Sequence, residues 1–182
     1  MARIPTIERK EQLPAEHQAV YERIGASRGK VAGPFAVLLH SPTIAGRAAD
    51  LGAYIRFESQ LDGRDRELAV LAVARALDCR YEWAAHAREA RRAGVREEAI
   101  AAVRDGRAPA GLTAEEALVV SYVRQLLAAH RVDEPTFAAL RDRLGVERLV
   151  ELTATVGYYA MLACSLNAFE VLPPPEDDAL PV

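Results

Sequence analysis

Apolar side chains recur along this chain at the spacing of helices, and no segment shows the alternation of a strand. The most apolar run, residues 68–77 (LAVLAVARAL), is interrupted only by Arg75. A segment with no polar face predicts a buried helix, here opened by Asp62 as N-cap. Asp78 then caps a second helix through YEWAAHAREARRAG, so residues 61–94 read as two helices meeting at a corner.

The rest of the chain follows the same period. Residues 14–24 predict a helix with Pro14 near its start and Gly25 near its end, followed by the loop SRGKVAGP and a short apolar turn over 35–40. Ser41 and Pro42 open a helix to about Gln60, and residues 97–103 predict a short one. After the loop DGRAPAGL, Thr113-Ala-Glu-Glu116 is a capping box that starts a helix over 114–129. Residues 135–144, ended by Gly145, and the apolar stretch 146–169 complete the series. The fold expected is all-α, a multi-helical bundle of about eight helices or more.

The two halves can be laid on each other. Placing Glu151-Leu152 on Glu67-Leu68 also brings Arg148 onto Arg64, Ala163 opposite Cys79, Leu166 opposite Glu82 and Glu170 opposite His86. The expectation is one domain over residues 1–182, built from two divergent helical repeats. The first half, residues 1–107, carries the chemistry; residues 112–171 repeat it with the chemical residues lost. Cys164 falls one place from the Cys79 equivalent and reads as core. The tail LPPPEDDALPV, residues 172–182, is expected to be extended, its last apolar residues docking on a neighbour.

The candidate chemistry sits at the corner. Cys79, Glu82 and His86 lie at i, i+3 and i+7, which stack on one side of a helix, and the corner folds Glu67 back toward the same pocket. Cys79 falls near the first helical position, where the helix dipole favours a thiolate. The plainer alternative is a structural Glu82–His86 pair beside an inert, buried Cys79. Three unlike metal ligands are also conceivable there, but a structural zinc site shows four ligands in paired spacing, which is absent, so no metal is expected.

Glu67, eleven residues, Cys79-x-x-Glu82 and x-x-x-His86 resemble the signature of the carboxymuconolactone decarboxylase and alkylhydroperoxidase-D superfamily, which runs Glu, eleven residues, C-x-x-C-x-x-x-H. The flanks RELAVLAVARA and YEWAAHAREARRAG are similar to its decarboxylase-like branch. The resemblance implies an enzyme without cofactor in which His86, oriented by Glu67 or Glu82, moves a proton on a small carboxylated cyclic or lactone-like substrate. One departure is that Glu82 stands where the family carries a second cysteine, the one that attacks peroxide in the hydroperoxidase branch. A thiol peroxidase using Cys79 alone is therefore the second reading. A helical binding protein or scaffold without catalysis is the third.

For substrate binding, GPFAVLLHSP is similar to a pocket-lining region of the superfamily, which makes His40 a candidate. Arg56 offers a guanidinium fork for a carboxylate, and Tyr81 and Tyr158 offer phenols. The partners expected are a small-molecule substrate and further copies of the chain. Close-packing apolar helices leave more greasy surface than one subunit hides, and the resemblance implies a homotrimer or homodimer.

A net charge of -3 gives no electrostatic basis for nucleic-acid binding. Two cysteines do not make a disulfide framework, MARIPTIERK lacks the apolar core of a signal peptide, and charges interrupt each apolar run short of membrane-spanning length. The expected location is a reducing cytoplasm.

Overall fold

The computed structural model describes residues 2–175 and 177–182, among which there is no strand. Among these described residues there are eight α-helices, of which α4, Gly63–Ala76, is the central one of the second part of the chain. Its residues from Glu67 to Ala74 are all buried, as a helix without a polar face requires. It packs against α5 (Arg80–Arg92), α6 (Glu97–Arg104), α7 (Ala114–Ala128) and α8 (Glu134–Ala168). Leu71, Val70 and Val73 are almost wholly excluded from solvent. Each such aliphatic side chain contributes about 1.5–3 kcal/mol by leaving water.

Local sequence explains most of the boundaries. Asp62 caps α4, its carboxylate accepting the Arg64 amide at 2.9 Å. Thr113 and Glu116 close the capping box of α7 in both directions. Helices α1 (Gln18–Arg28), α2 (Pro34–Leu38) and α3 (Pro42–Ala53) pack on one another, and α2 joins them to α8. Ala15–His17 form a 3-10 turn rather than the start of α1, and α1 continues past Gly25 to Arg28, ending at Gly29 with φ 76°.

Two larger departures bear on function. The helix expected over residues 43–60 is α-helical only to Ala53; Tyr54–Glu58 form a π-helical turn, with the Ser59 amide donating to the Tyr54 carbonyl at 2.9 Å. In the second half, Gly145 (φ 77°, ψ 166°) interrupts α8 where the sequence places a break. Beyond it α8 runs without interruption to Ala168, so residues 161–163 have no corner like the one at 77–79. Cys164, on this straight stretch, is exposed rather than part of the core.

By length and composition α8 is also apolar enough to cross a membrane, contrary to the sequence expectation, although more than half of its most apolar window is buried inside the fold. Of the tail expected to be extended, residue 176 lies outside the described residues; residues 172–175 and 177–182 hold no helix but turn, the Asp177 amide donating to the Pro174 carbonyl at 3.1 Å, and fold back onto the same chain. Leu180 is buried, the Pro181 carbonyl accepts from Arg75 at 3.2 Å, and Asp178 pairs with Arg91.

Candidate active site

The corner after α4 is tight. Asp78 takes the left-handed conformation (φ 49°), held by its ion pair with Arg75 at 2.8 Å. Cys79, not Asp78, is the N-cap of α5, with extended dihedrals (φ -85°, ψ 94°). Being outside the helix, Cys79 does not follow the spacing that relates Glu82 to His86. Its side chain lies in a separate apolar cluster with Ala163 and Leu166. Burial pushes the thiol up to about 12, against the lowering expected at a helix start.

Glu67, Glu82 and His86, in contrast, converge. All three are buried. His86 Nδ1 lies 2.7 Å from Glu67 Oε2, and Nε2 lies 3.4 Å from Glu82 Oε2. Since an ionised carboxylate only accepts, Nδ1 carries the proton of the shorter contact. Arg66 donates its Nε to the other Glu67 oxygen at 3.3 Å.

The surroundings drive the two acids apart. Burial would raise the Glu67 pKa, but the bond to His86, its charge and Arg66 together hold it below the usual carboxylate value. Glu82 has no such donor, and burial, aided by the nearby charge of Glu67, holds it above. For His86, burial favours the neutral ring; the Glu67 hydrogen bond and the two carboxylates outweigh this and raise its pKa. A pair of acids tuned in opposite directions beside an imidazole is the arrangement of proton-transfer sites.

These groups open on a cleft of about 170 Å³. Glu82 and His86 form its floor, Tyr81, Tyr158 and Tyr159 its aromatic walls, and Arg28, Lys30 and Arg56 a cationic rim. Among the described residues Arg56 has no ion-pair or hydrogen-bond partner. Arg28 is held by the Ala49 carbonyl at 3.0 Å and lies 4.3 Å over the Phe35 ring. Two glycines make room for the walls: an added Cβ on Gly33 would sit 2.5 Å from the Tyr81 ring, and one on Gly52 would collide with the Tyr158 hydroxyl.

Of the residues singled out from sequence, the structure therefore brings Glu82, His86, Arg56, Tyr81 and Tyr158 to line this cleft, with Glu67 bound to His86 but not itself lining it. It does not bring Cys79 or His40. His40 is exposed and its Nε2 meets the Pro5 carbonyl at 2.8 Å, a local tie to the N-terminal arm. Without Cys79, the three mixed metal ligands do not converge, and among the described residues no three acid, thiol or imidazole groups are placed so that they could hold one metal ion.

Sequence reading missed Tyr159, whose ring stands edge-on to His86 with centroids 4.8 Å apart, and the rim cations Arg28 and Lys30. Tyr159 is the immediate neighbour of the candidate Tyr158, and helical phase alone does not say which of the two rings reaches His86. The rim cations come from the end of α1 and the loop after it, where no periodicity points to a target.

Residues 42–125 match the carboxymuconolactone decarboxylase family. No curated protein shows a significant match to the chain. Among solved structures, the fold is similar to the alkylhydroperoxidase AhpD core of an uncharacterized peroxidase-related protein from Ralstonia eutropha JMP134 (TM-score 0.78, 20% identity, 96% of this chain and 93% of that one). It is similar to an uncharacterized peroxidase-related protein from Silicibacter sp. TM1040 (TM-score 0.74, 19% identity, 94% and 93%). The debrominase Bmp8 shares it too (TM-score 0.75, 13% identity, 94% and 92%). The family match covers the Glu67 to His86 stretch and the fold is shared over nearly the whole length, which together support the carboxymuconolactone decarboxylase and alkylhydroperoxidase-D-like superfamily.

Proposed function

We propose that this protein is a cofactor-independent acid–base enzyme that decarboxylates, or otherwise moves a proton on, a small carboxylated ring or lactone. The observation that carries the reading is the His86 ring, tied through Nδ1 to an ionised Glu67 at 2.7 Å while Nε2 and Glu82 look into the cleft. The cationic rim of Arg28, Lys30 and Arg56 draws an anionic substrate inward. When the bond to the departing carboxylate breaks, its electron pair stays on the ring as an enolate and CO2 leaves. Glu82, whose pKa burial raises, is the acid that in its protonated form donates a hydrogen bond to the enolate oxygen. The His86 imidazolium delivers the proton to carbon, and solvent restores it.

The size of the cleft suits a single small ring. A variant of the debrominase Bmp8 has been crystallised with 2,3,4-tribromopyrrole, and a five-membered ring of that size supports the same scale of ligand here. The peroxidase reading has the peroxidase-related neighbours in its favour. Against it stand the missing second cysteine and the sealed, un-ionised Cys79. Apolar side chains exposed on α3 and α8, Ile44, Leu51, Val146 and Val150, support self-association, which sedimentation at micromolar concentration tests.

The deciding experiment is a panel of carboxylated lactones and β-keto acids assayed for CO2 release and for solvent deuterium in the product, run beside peroxide consumption with a small dithiol. The proposal expects CO2 or deuterium incorporation and no peroxide turnover; peroxide turnover alone would overturn it.

A further inference from the structure

Arg56 owes its place to an irregular piece of backbone. It sits within the π-helical turn Tyr54–Glu58, which follows α3 directly. A π turn is rare and occurs mostly as a single inserted residue in an α-helix. Here it forms the last turn of the helical segment, with Ser59 beyond it in extended backbone (φ -58°, ψ 143°), so its geometry sets how Arg56 leaves the helix axis. The turn therefore decides whether residue 56 faces the cleft, and something must hold it against relaxing to the α form.

The holder is on α8. Glu151 is buried, with 7% of its surface accessible. Its Oε1 accepts the Tyr54 hydroxyl at 2.7 Å, from the first residue of the π turn. Its Oε1 and Oε2 accept the Gln60 amide at 3.3 and 3.1 Å, just past the end of the turn. One carboxylate thus grips the irregular segment on both sides, and these bonds keep it ionised despite burial. Arg56 itself has no hydrogen-bond or ion-pair partner among the described residues, and its guanidinium meets only the exposed Phe57 ring of the same turn, 5.2 Å from the centroid, so its direction follows that of the turn.

We propose that Glu151 is a positioning residue for the cleft, clamping the π turn between Tyr54 and Gln60 so that the Arg56 guanidinium is presented at the rim. The value of that placement for function rests on the reading of the rim as the site that draws an anionic substrate. Glu151 is also the residue that the sequence register laid on Glu67; it serves the same cleft from a different helix and without entering it.

The test is phenylglyoxal labelling of the full chain, read peptide by peptide, with exposed Arg47 on α3 as the internal reference. In Glu151→Ala the Arg56 rate, taken relative to Arg47, is expected to change roughly tenfold, equivalent to about 1.4 kcal/mol. The His86 imidazole resonances are expected to stay where they are in the wild type. An unchanged Arg56 to Arg47 ratio overturns the inference, as does movement of the His86 signals together with Arg56, which marks a general loss of structure. Should Glu151→Ala fail to fold, Tyr54→Phe removes one oxygen from a half-exposed ring and is read in the same way. Benzoate, added as an anionic ring probe, is expected to slow Arg56 labelling in the wild type. Failure of that protection counts against the anion reading alone, because the labelling ratio without benzoate decides the role of Glu151 separately.

Discussion

The first two turns of α5 hold two environments of opposite character. On one side Glu82 and His86 border a cleft with a cationic rim, and the carboxylate of Glu67 arrives from α4 to bind the imidazole. On the other, Cys79 is enclosed by Ala163 and Leu166 from α8 with no accessible surface. Both belong to one motif and lie within eight residues. A reactive group needs partners and access, and the corner supplies these to the imidazole while denying them to the thiol. The tight turn at Asp78 leaves Cys79 as a cap with extended dihedrals, so its side chain departs toward α8 instead of lining up with Glu82.

The largest expected effect breaks the cleft side. His86→Ala removes the group that carries the proton, and turnover on whatever substrate the CO2 assay identifies should fall by about 10²–10⁴-fold. Residual activity within a few-fold of the wild type would place the chemistry elsewhere.

Glu67→Gln keeps the shape of the pair but removes its charge. Turnover should fall less, by roughly 10²-fold, and the pH dependence of stability should change with it. His86 is held above 6.5 in the folded state, so its contribution is complete below 6.5 and disappears as pH rises through its folded value. Glu82, raised above 4.5, likewise contributes most below 4.5 and loses that contribution as pH rises. Glu67, lowered, contributes above 4.5 and loses its contribution as pH falls through its folded value. Urea midpoints should therefore decline above 6.5, and Glu67→Gln should flatten that decline because the imidazolium loses its anion. An unaltered profile would mean that Glu67 does not set the charge of His86.

Much of this was legible in the sequence, for reasons that differ residue by residue. The burial of α4 follows from ten positions with one charge, and the caps at Asp62 and Thr113 follow from side-chain chemistry that acts within four residues. The meeting of Glu67 with His86 was readable because a corner between two helices has few ways to close. Cys79 was misjudged because the i, i+3, i+7 rule holds only inside a helix, and whether a residue is the cap or the first helical position depends on the φ of its neighbour Asp78. The π turn left no periodic mark, since it is held by a bond from Glu151, ninety-seven residues from Tyr54 in sequence. His40 looked like a pocket residue until the N-terminal arm supplied the Pro5 carbonyl.

A gentler change tests how closely the cleft walls are fitted. Gly52 lies on α3 where the Tyr158 hydroxyl and Arg28 press against the helix, with Arg28 Nη2 2.8 Å from the place a Cβ would occupy. Gly52→Ala gains helix propensity but forces Tyr158 to move toward the cleft, for a net destabilisation of about 1–3 kcal/mol from overpacking. Substrate affinity should weaken while His86 keeps its bond to Glu67, which an NMR titration of the imidazole would show. A more stable variant with unchanged affinity would mean that Tyr158 yields into empty space.

The smallest effect is expected on the thiol side, and it sharpens the contrast most. Cys79→Ala removes one sulfur from a small apolar cluster and should cost roughly 1 kcal/mol through the space it leaves. Turnover should change little, because Cys79 does not itself line the cleft, although Tyr81, one of the cleft walls, packs against the same cluster. Thiol labelling separates the two cysteines without mutation: exposed Cys164 should react at once, whereas Cys79, buried and pushed up to about 12, should react only as the chain unfolds. Rapid labelling of Cys79 in the folded protein, or loss of turnover in Cys79→Ala, would return the thiol to the mechanism. The absence of both would leave the imidazole and its two unlike carboxylates to do the chemistry alone.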